Sequence, residues 1–248
     1  MKKLFLLLPV MFLFIVTASA QLISQIKLDS TLQNGYQRLA YGNMTIAGHL
    51  SEGKKQGSWA IFFPTGQVHI LEHYLDNLKN GLYVQIGRNG NIQEQSYFRH
   101  DTLHGQLLKF AAGGRLTLEE NYFMGKLDSL RKVYYERGAI QEESYYKHGQ
   151  RNGTSIWYDE SGNVIAEYQY LNGLFEGVQK SYYPGGQLKS EQGFILNRQH
   201  GPAREYHSNG QLKTMGDFVE GHKHGKWVEF DETGKPVKTT TYKKGVEK

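Results

Sequence analysis

Four glutamates stand at one fixed interval, Glu119, Glu143, Glu167 and Glu191. Four histidines gather near the C-terminus, His200, His207, His222 and His224. Paired carboxylates can share general acid–base work, glycoside hydrolysis being the usual case. Three imidazoles, here His200, His222 and His224, can converge on zinc or copper. The glutamates are copies of one position, and among the histidines His200 and His224 are, with His222 two residues away. The glutamates are 24 residues apart, and so are His200 and His224. Nothing singles out one acid from its copies, so the acidic column reads as a solvated stripe, or as a stripe that meets a cationic partner. The histidine column also holds Asn80, His104, Asp128, Asn152 and Glu176, which reads as a polar turn position. No metal or other cofactor is expected.

The interval belongs to the whole chain. Gly66, Gly90, Gly114, Gly138, Gly162, Gly186, Gly210 and Gly234 recur every 24 residues without insertion or deletion. A second column, from Gly57 to Gly225, is broken only by Ser129. Between the two glycines comes Phe62, Ile86, Phe110, Tyr134, Tyr158, Tyr182, Tyr206 and Phe230. After the second comes an aliphatic column, Val68 to Leu212, and then an all-aromatic one: Tyr74, Phe98, Tyr122, Tyr146, Tyr170, Phe194, Phe218 and Tyr242. Self-similarity at such a period describes a repeat array.

Each unit reads as a β-hairpin. Pro64-Thr65-Gly66, Arg88-Asn89-Gly90 and Ser208-Asn209-Gly210 are turn chemistry between strand-length apolar segments. A second turn follows each aromatic, so the hairpins join into an elongated, all-β antiparallel meander. If Phe62 faces Val68, then 62, 68, 70, 72 and 74 share one face, with the acidic column on the other. Residues 57–248 make eight repeats and 33–56, with Gly42, Met44, Leu50 and Gly53, a degenerate capping repeat. Residues 21–32 form a linker.

The segments Gly57-Ser-Trp-Ala-Ile-Phe-Phe-Pro-Thr-Gly66-Gln-Val68, Tyr182-Tyr-Pro-Gly-Gly-Gln-Leu-Lys189 and Gly225-Lys-Trp-Val-Glu-Phe230 resemble the MORN-repeat family. They are most similar to its bacterial variants, some of which carry an antitoxin label. The resemblance implies a hairpin array that acts mostly as a scaffold, with a toxin as one conceivable partner.

Residues 1–20 read as a secretory signal peptide. Met1-Lys2-Lys3 is followed by an apolar run, Leu4 to Val16, and a small-x-small site, Ala18-Ser19-Ala20. The expected location is the periplasm, the outer envelope or the medium. The chain has no cysteine, which excludes disulfides, thiol catalysis and thiolate metal sites. Its formal charge of +5 falls to +3 without Lys2 and Lys3, and basic residues alternate with acidic ones. That pattern is not a nucleic-acid footprint. The aromatic excess points to binding. Trp59, Tyr83, Tyr97, Tyr135, Tyr145, Trp157, Tyr168, Tyr183 and Trp227 are the candidate exposed contacts for an envelope protein, a glycan or a lipid. The expected function is a non-catalytic protein-binding scaffold that uses an extended sheet face.

Overall fold

The computed structural model describes residues 32–248. The segment read as a signal peptide, and the linker as far as residue 31, lie outside them. Strands β1 (Gly35–Tyr41), β2 (Met44–Ser51), β3 (Lys54–Phe62), β4 (Val68–Leu75) and β5 (Leu78–Ile86) open a run that continues to Pro236–Lys243 and Val246–Glu247. All 21 strands among the described residues belong to one antiparallel sheet. Each long strand pairs with the long strands before and after it, as β3 does with β2 and β4, while the two-residue strands Lys126–Leu127 and Leu174–Phe175 pair only with the strand that precedes them.

Two kinds of turn alternate along the ribbon. In the first, Phe63 N donates to Gln67 O at 2.8 Å and Gly66 N donates to Phe63 O at 2.9 Å, and this pair of bonds recurs in all eight repeats. Gly66 sits at φ 86, where any Cβ is strained. The second turn places two consecutive residues at positive φ, Asp76 (φ 51) and Asn77 (φ 70) in the first full repeat. That is the geometry of a two-residue hairpin whose twist matches its strands. Each second turn is also tied to the one before it. Asn77 N donates to Lys55 O at 3.1 Å, and equivalent bonds run to Gly245 N donating to Lys223 O.

The expected pairing of Phe62 with Val68 is present. The expected sharing of one face is not. A bulge next to that pair sets Ile61 opposite Ile70, so Ile61 and Trp59 lie with Ile70, Glu72 and Tyr74, and Phe62 points the other way. The inner face therefore carries the Tyr74 column. The outer face carries the Phe62 column together with the acidic column. A second bulge, at Gly57 (φ 66), restores the phase in the other strand. Bulged strands bend and coil more than regular ones, and side chains on the inner side of a bend crowd together.

Among the described residues no second layer covers the sheet, so the inner face must fill its own space. One row of paired residues crosses the sheet and is buried almost throughout: Trp59, Glu72, Tyr83, Ser96, Leu107 and Glu120 in its first half. Large and small alternate in it. Near each end an indole lies flat on a glycine. A Cβ on Gly48 would stand 2.1 Å from the Trp59 ring, and one on Gly216 would stand 2.3 Å from Trp227. Trp59 Nε1 donates to His49 O and Trp227 Nε1 to Asp217 O, each at 3.2 Å. The apolar cluster of Ile46, Leu50, Trp59, Ile61, Ile70, Tyr74 and Tyr83 sits at the N-terminal end.

Two stability effects follow. Ser129 stands in the second glycine column and is held at φ 73, so Ser129→Gly is expected to stabilise by about 1 kcal/mol in urea unfolding. Gly216→Ala drives a methyl into an indole and is expected to destabilise by about 2 kcal/mol. An unchanged urea midpoint for both variants contradicts the turn and packing geometry.

Candidate functional site

The expected exposed aromatics divide into three groups. Trp59 and Tyr83 are buried, which corrects the reading of them as contacts: the bulge turns them to the inner face. Tyr135, Trp157, Tyr168, Tyr183 and Trp227 are half-buried and engaged by neighbours. The Tyr135 hydroxyl donates to Tyr158 O and the Tyr183 hydroxyl to Tyr206 O, both at 2.8 Å, linking one repeat to the next. Trp157 packs on Tyr168 with ring centroids 5.0 Å apart, and the Arg151 guanidinium lies 5.2 Å from the Trp157 ring. Only Tyr97 and Tyr145 of the nine are exposed.

The acidic column is internally satisfied. Tyr134 donates to Glu119 at 3.3 Å, Tyr158 to Glu143 at 2.9 Å and Tyr206 to Glu191 at 3.1 Å, and Tyr182 is hydrogen-bonded to Glu167. Burial, and then the adjacent carboxylate, raises all four phenols, Tyr158 and Tyr182 to about 12. Lys132 reaches Glu143 at 3.0 Å and Arg204 reaches Glu191 at 2.7 Å. The stripe is a ladder that joins repeats.

The histidines do not converge. Among the described residues no three of His, Asp or Glu are placed to hold a metal ion. The column of His200 and His224 has a structural duty elsewhere in the array. Asp128 Oδ2 accepts from His148 N at 3.1 Å, Asn152 Oδ1 from Asn172 N at 3.2 Å, and Glu176 Oε2 from Leu196 N at 3.0 Å. These side chains cap the second turn of the following repeat.

The inner face also holds cations against rings. Lys55 lies 5.0 Å from the Tyr74 ring and Lys223 lies 4.1 Å from the Trp227 ring. Arg131 bridges Glu120 and Glu142 at 2.9 and 3.0 Å, and Arg151 bonds Glu142 at 2.7 Å. Lys55 is pulled down to about 8, chiefly by burial, with Glu72 opposing and Lys79 reinforcing the shift.

One long edge of the ribbon carries recurring apolar tips. Ten of the nineteen exposed large hydrophobics fall in the second turns: Leu75, Leu78, Phe123, Met124, Leu171, Leu174, Ile195, Leu196, Val219 and Val246. None falls in the five-residue first turns on the opposite edge. Arg99, Lys126, Lys147, Arg198, Lys243 and Lys244 are interspersed among them, as are Glu52, Asp76, Asp101 and Glu220. Met124 and Leu196 are 57% and 59% exposed and both are held at φ 49. A left-handed backbone costs a residue with a Cβ about 1–2 kcal/mol, and Asn, Asp or Gly fills it more cheaply. The sequence reading missed this edge. Its signal is an apolar residue at a tip where turn chemistry calls for a polar one, visible once the repeats are aligned on each other.

The family model of the MORN repeat variant matches five segments in tandem, residues 127–148, 151–172, 175–195, 199–220 and 223–244. Each covers one hairpin, from the strand that follows a second turn through the next such turn. No curated protein matches the chain.

The lysine yields a test. Between about pH 8 and 10 the unfolded chain keeps a proton at position 55 that the folded chain has released, so stability rises with pH there. The slope approaches about 1.4 kcal/mol per pH unit for one full proton. Above about pH 10 the raised tyrosines oppose it. Urea midpoints across that window should climb for the parent and stay flat for Lys55→Met.

Proposed function

We propose that this protein is a non-catalytic scaffold, carried out of the cytoplasm, that holds an envelope protein along its second-turn edge. MORN repeats are generally protein- or membrane-binding modules, and the five tandem matches between residues 127 and 244 support a binding role for this array. The export part of the reading rests on the Lys2-Lys3 start, the apolar run and Ala18-Ser19-Ala20. The observation that carries the edge is Met124 and Leu196. They are large, apolar, exposed and held in a backbone conformation that disfavours them. Folding alone gains nothing from that choice, and strain at an exposed site is a mark of function.

The contact moves from the sheet face to the edge for a physical reason. Inner-face side chains are buried against one another, and the outer glutamates are bonded to tyrosines. Apolar tips recurring along the array supply many modest contacts to one extended partner, and linked contacts of this kind add up. The basic residues among the tips favour a partner with acidic flanks. They also support a second reading, an anionic membrane surface, in which the apolar tips insert and the lysines and arginines meet headgroups.

Leu196→Asn and Met124→Asn separate function from folding. Each is expected to leave stability unchanged or raise it by about 0.5–1 kcal/mol, because Asn tolerates the left-handed region. The double variant, used in parallel with the parent in capture from an envelope extract, should lose the retained protein by tenfold or more. Sedimentation with phosphatidylserine vesicles distinguishes the second reading. Equal retention by parent and variant in both assays contradicts the edge.

A further inference from the structure

The two ends of the sheet are unlike. At the C-terminal end the last long strand, Pro236–Lys243, opens with a proline, carries Lys238 and Lys243, and is partly covered where Val246 and Glu247 fold back onto Lys243 and Tyr242. Proline, lysine and a covering segment are the usual protections of a sheet edge. At the other end, β1 is paired on one side only among the described residues. It has no proline, no lysine and one charge, Arg38. Its ladder with β2 runs through seven consecutive pairs without a bulge, whereas the ladder of β2 with β3 and that of β3 with β4 are each interrupted by one. It is a straight, regular edge, flanked by Tyr36 at 67% and Tyr41 at 42% exposure.

The packing behind this edge points outward. Leu39 pairs with Ile46, Ile46 with Ile61 and Ile61 with Ile70. The last three are buried, and all belong to the apolar cluster at this end of the array. Leu39 ends the row half-buried, with no further strand beyond it among the described residues.

We infer that β1 pairs antiparallel with β1 of a second copy, making a two-fold dimer in which the inner faces run on continuously. A two-fold axis perpendicular to the sheet keeps inner side chains on the inner face and makes the patch self-complementary. Two registers compete. Centred on Arg38, the pairing sets two guanidinium groups against each other, and like charges directly opposite disfavour it. Centred on Leu39, it extends the row of Leu39, Ile46, Ile61 and Ile70 across the axis. It then sets Gln37 beside Tyr41 and Arg38 beside Ala40. The occupant is a second copy because the edge is nearly uncharged and the row that reaches it is aliphatic.

The protein, expressed from its full sequence and purified as the host leaves it, tests this. Size-exclusion chromatography with light scattering should give twice the chain mass, with Leu39→Lys weakening dimerisation by tenfold or more. The absence of native cysteine allows a second, register-specific readout. Leu39→Cys should form a disulfide dimer under mild oxidation, because residues facing each other across an axis bring their Cβ atoms within bonding reach. Thr241→Cys at the opposite end should not. A monomer at all concentrations, a dimer untouched by Leu39→Lys, or cross-linking at Thr241 in place of Leu39 overturns the proposal.

Discussion

A sheet with nothing stacked on it among the described residues must make its core within one face. Every other feature of this protein depends on how that is done. The row from Trp59 through Glu72, Tyr83, Ser96, Leu107 and Glu120 is buried although half of it is polar. Its polar members are satisfied sideways by neighbours in the same layer. Glu72 accepts from the Tyr74 hydroxyl at 2.6 Å and from the Lys79 ammonium at 2.5 Å. Glu120 accepts from Tyr122 at 2.8 Å and Arg131 at 2.9 Å. Among the described residues no buried side-chain nitrogen or oxygen is left without a partner. A buried polar network is stable only when every member is paired.

That solution assigns the remaining surface. With the inner face filled and the outer face laced by tyrosine–glutamate pairs, apolar groups that stay in water are displaced to the margins. About half of the exposed large ones sit at the second turns and none in the five-residue first turns. The ribbon is thus amphipathic across its width. The second turns are also the places where repeats are tied by backbone bonds such as Gly125 N to Leu103 O at 2.8 Å. Apolar tips are therefore presented from a stiff support, which lowers the ordering cost of any contact they make.

Much of the architecture was legible in the sequence, and the reason is periodicity. Gly66 and its copies announced a positive-φ turn every 24 residues, and the strands between them had to be hairpins. The Phe62–Val68 pairing could be read as well. The bulges could not, because one extra residue in a ladder leaves no compositional mark of its own, and it reverses the face of everything beyond it. That reversal turns Trp59 and Tyr83 inward, away from the solvent side the unbulged pattern implies. The buried row was invisible for another reason. It runs across the repeats, with tryptophan, glutamate, tyrosine and serine complementing each other in size, so no single column looks like a core. Met124 and Leu196 were passed over because a turn column that otherwise holds Asp, His, Asn, Glu and Lys reads as polar.

One layer shuts its own inner face. Trp59 tests it most directly, because in an open sheet it is half in water and here it is buried on Gly48. A variant with Trp157→Phe and Trp227→Phe leaves Trp59 as the sole tryptophan. Acrylamide quenching of its fluorescence should be weak and its emission blue-shifted, rising to free-indole behaviour only on unfolding. Ready quenching in the folded protein would contradict the account, since the row behind Trp59 would then be open to solvent.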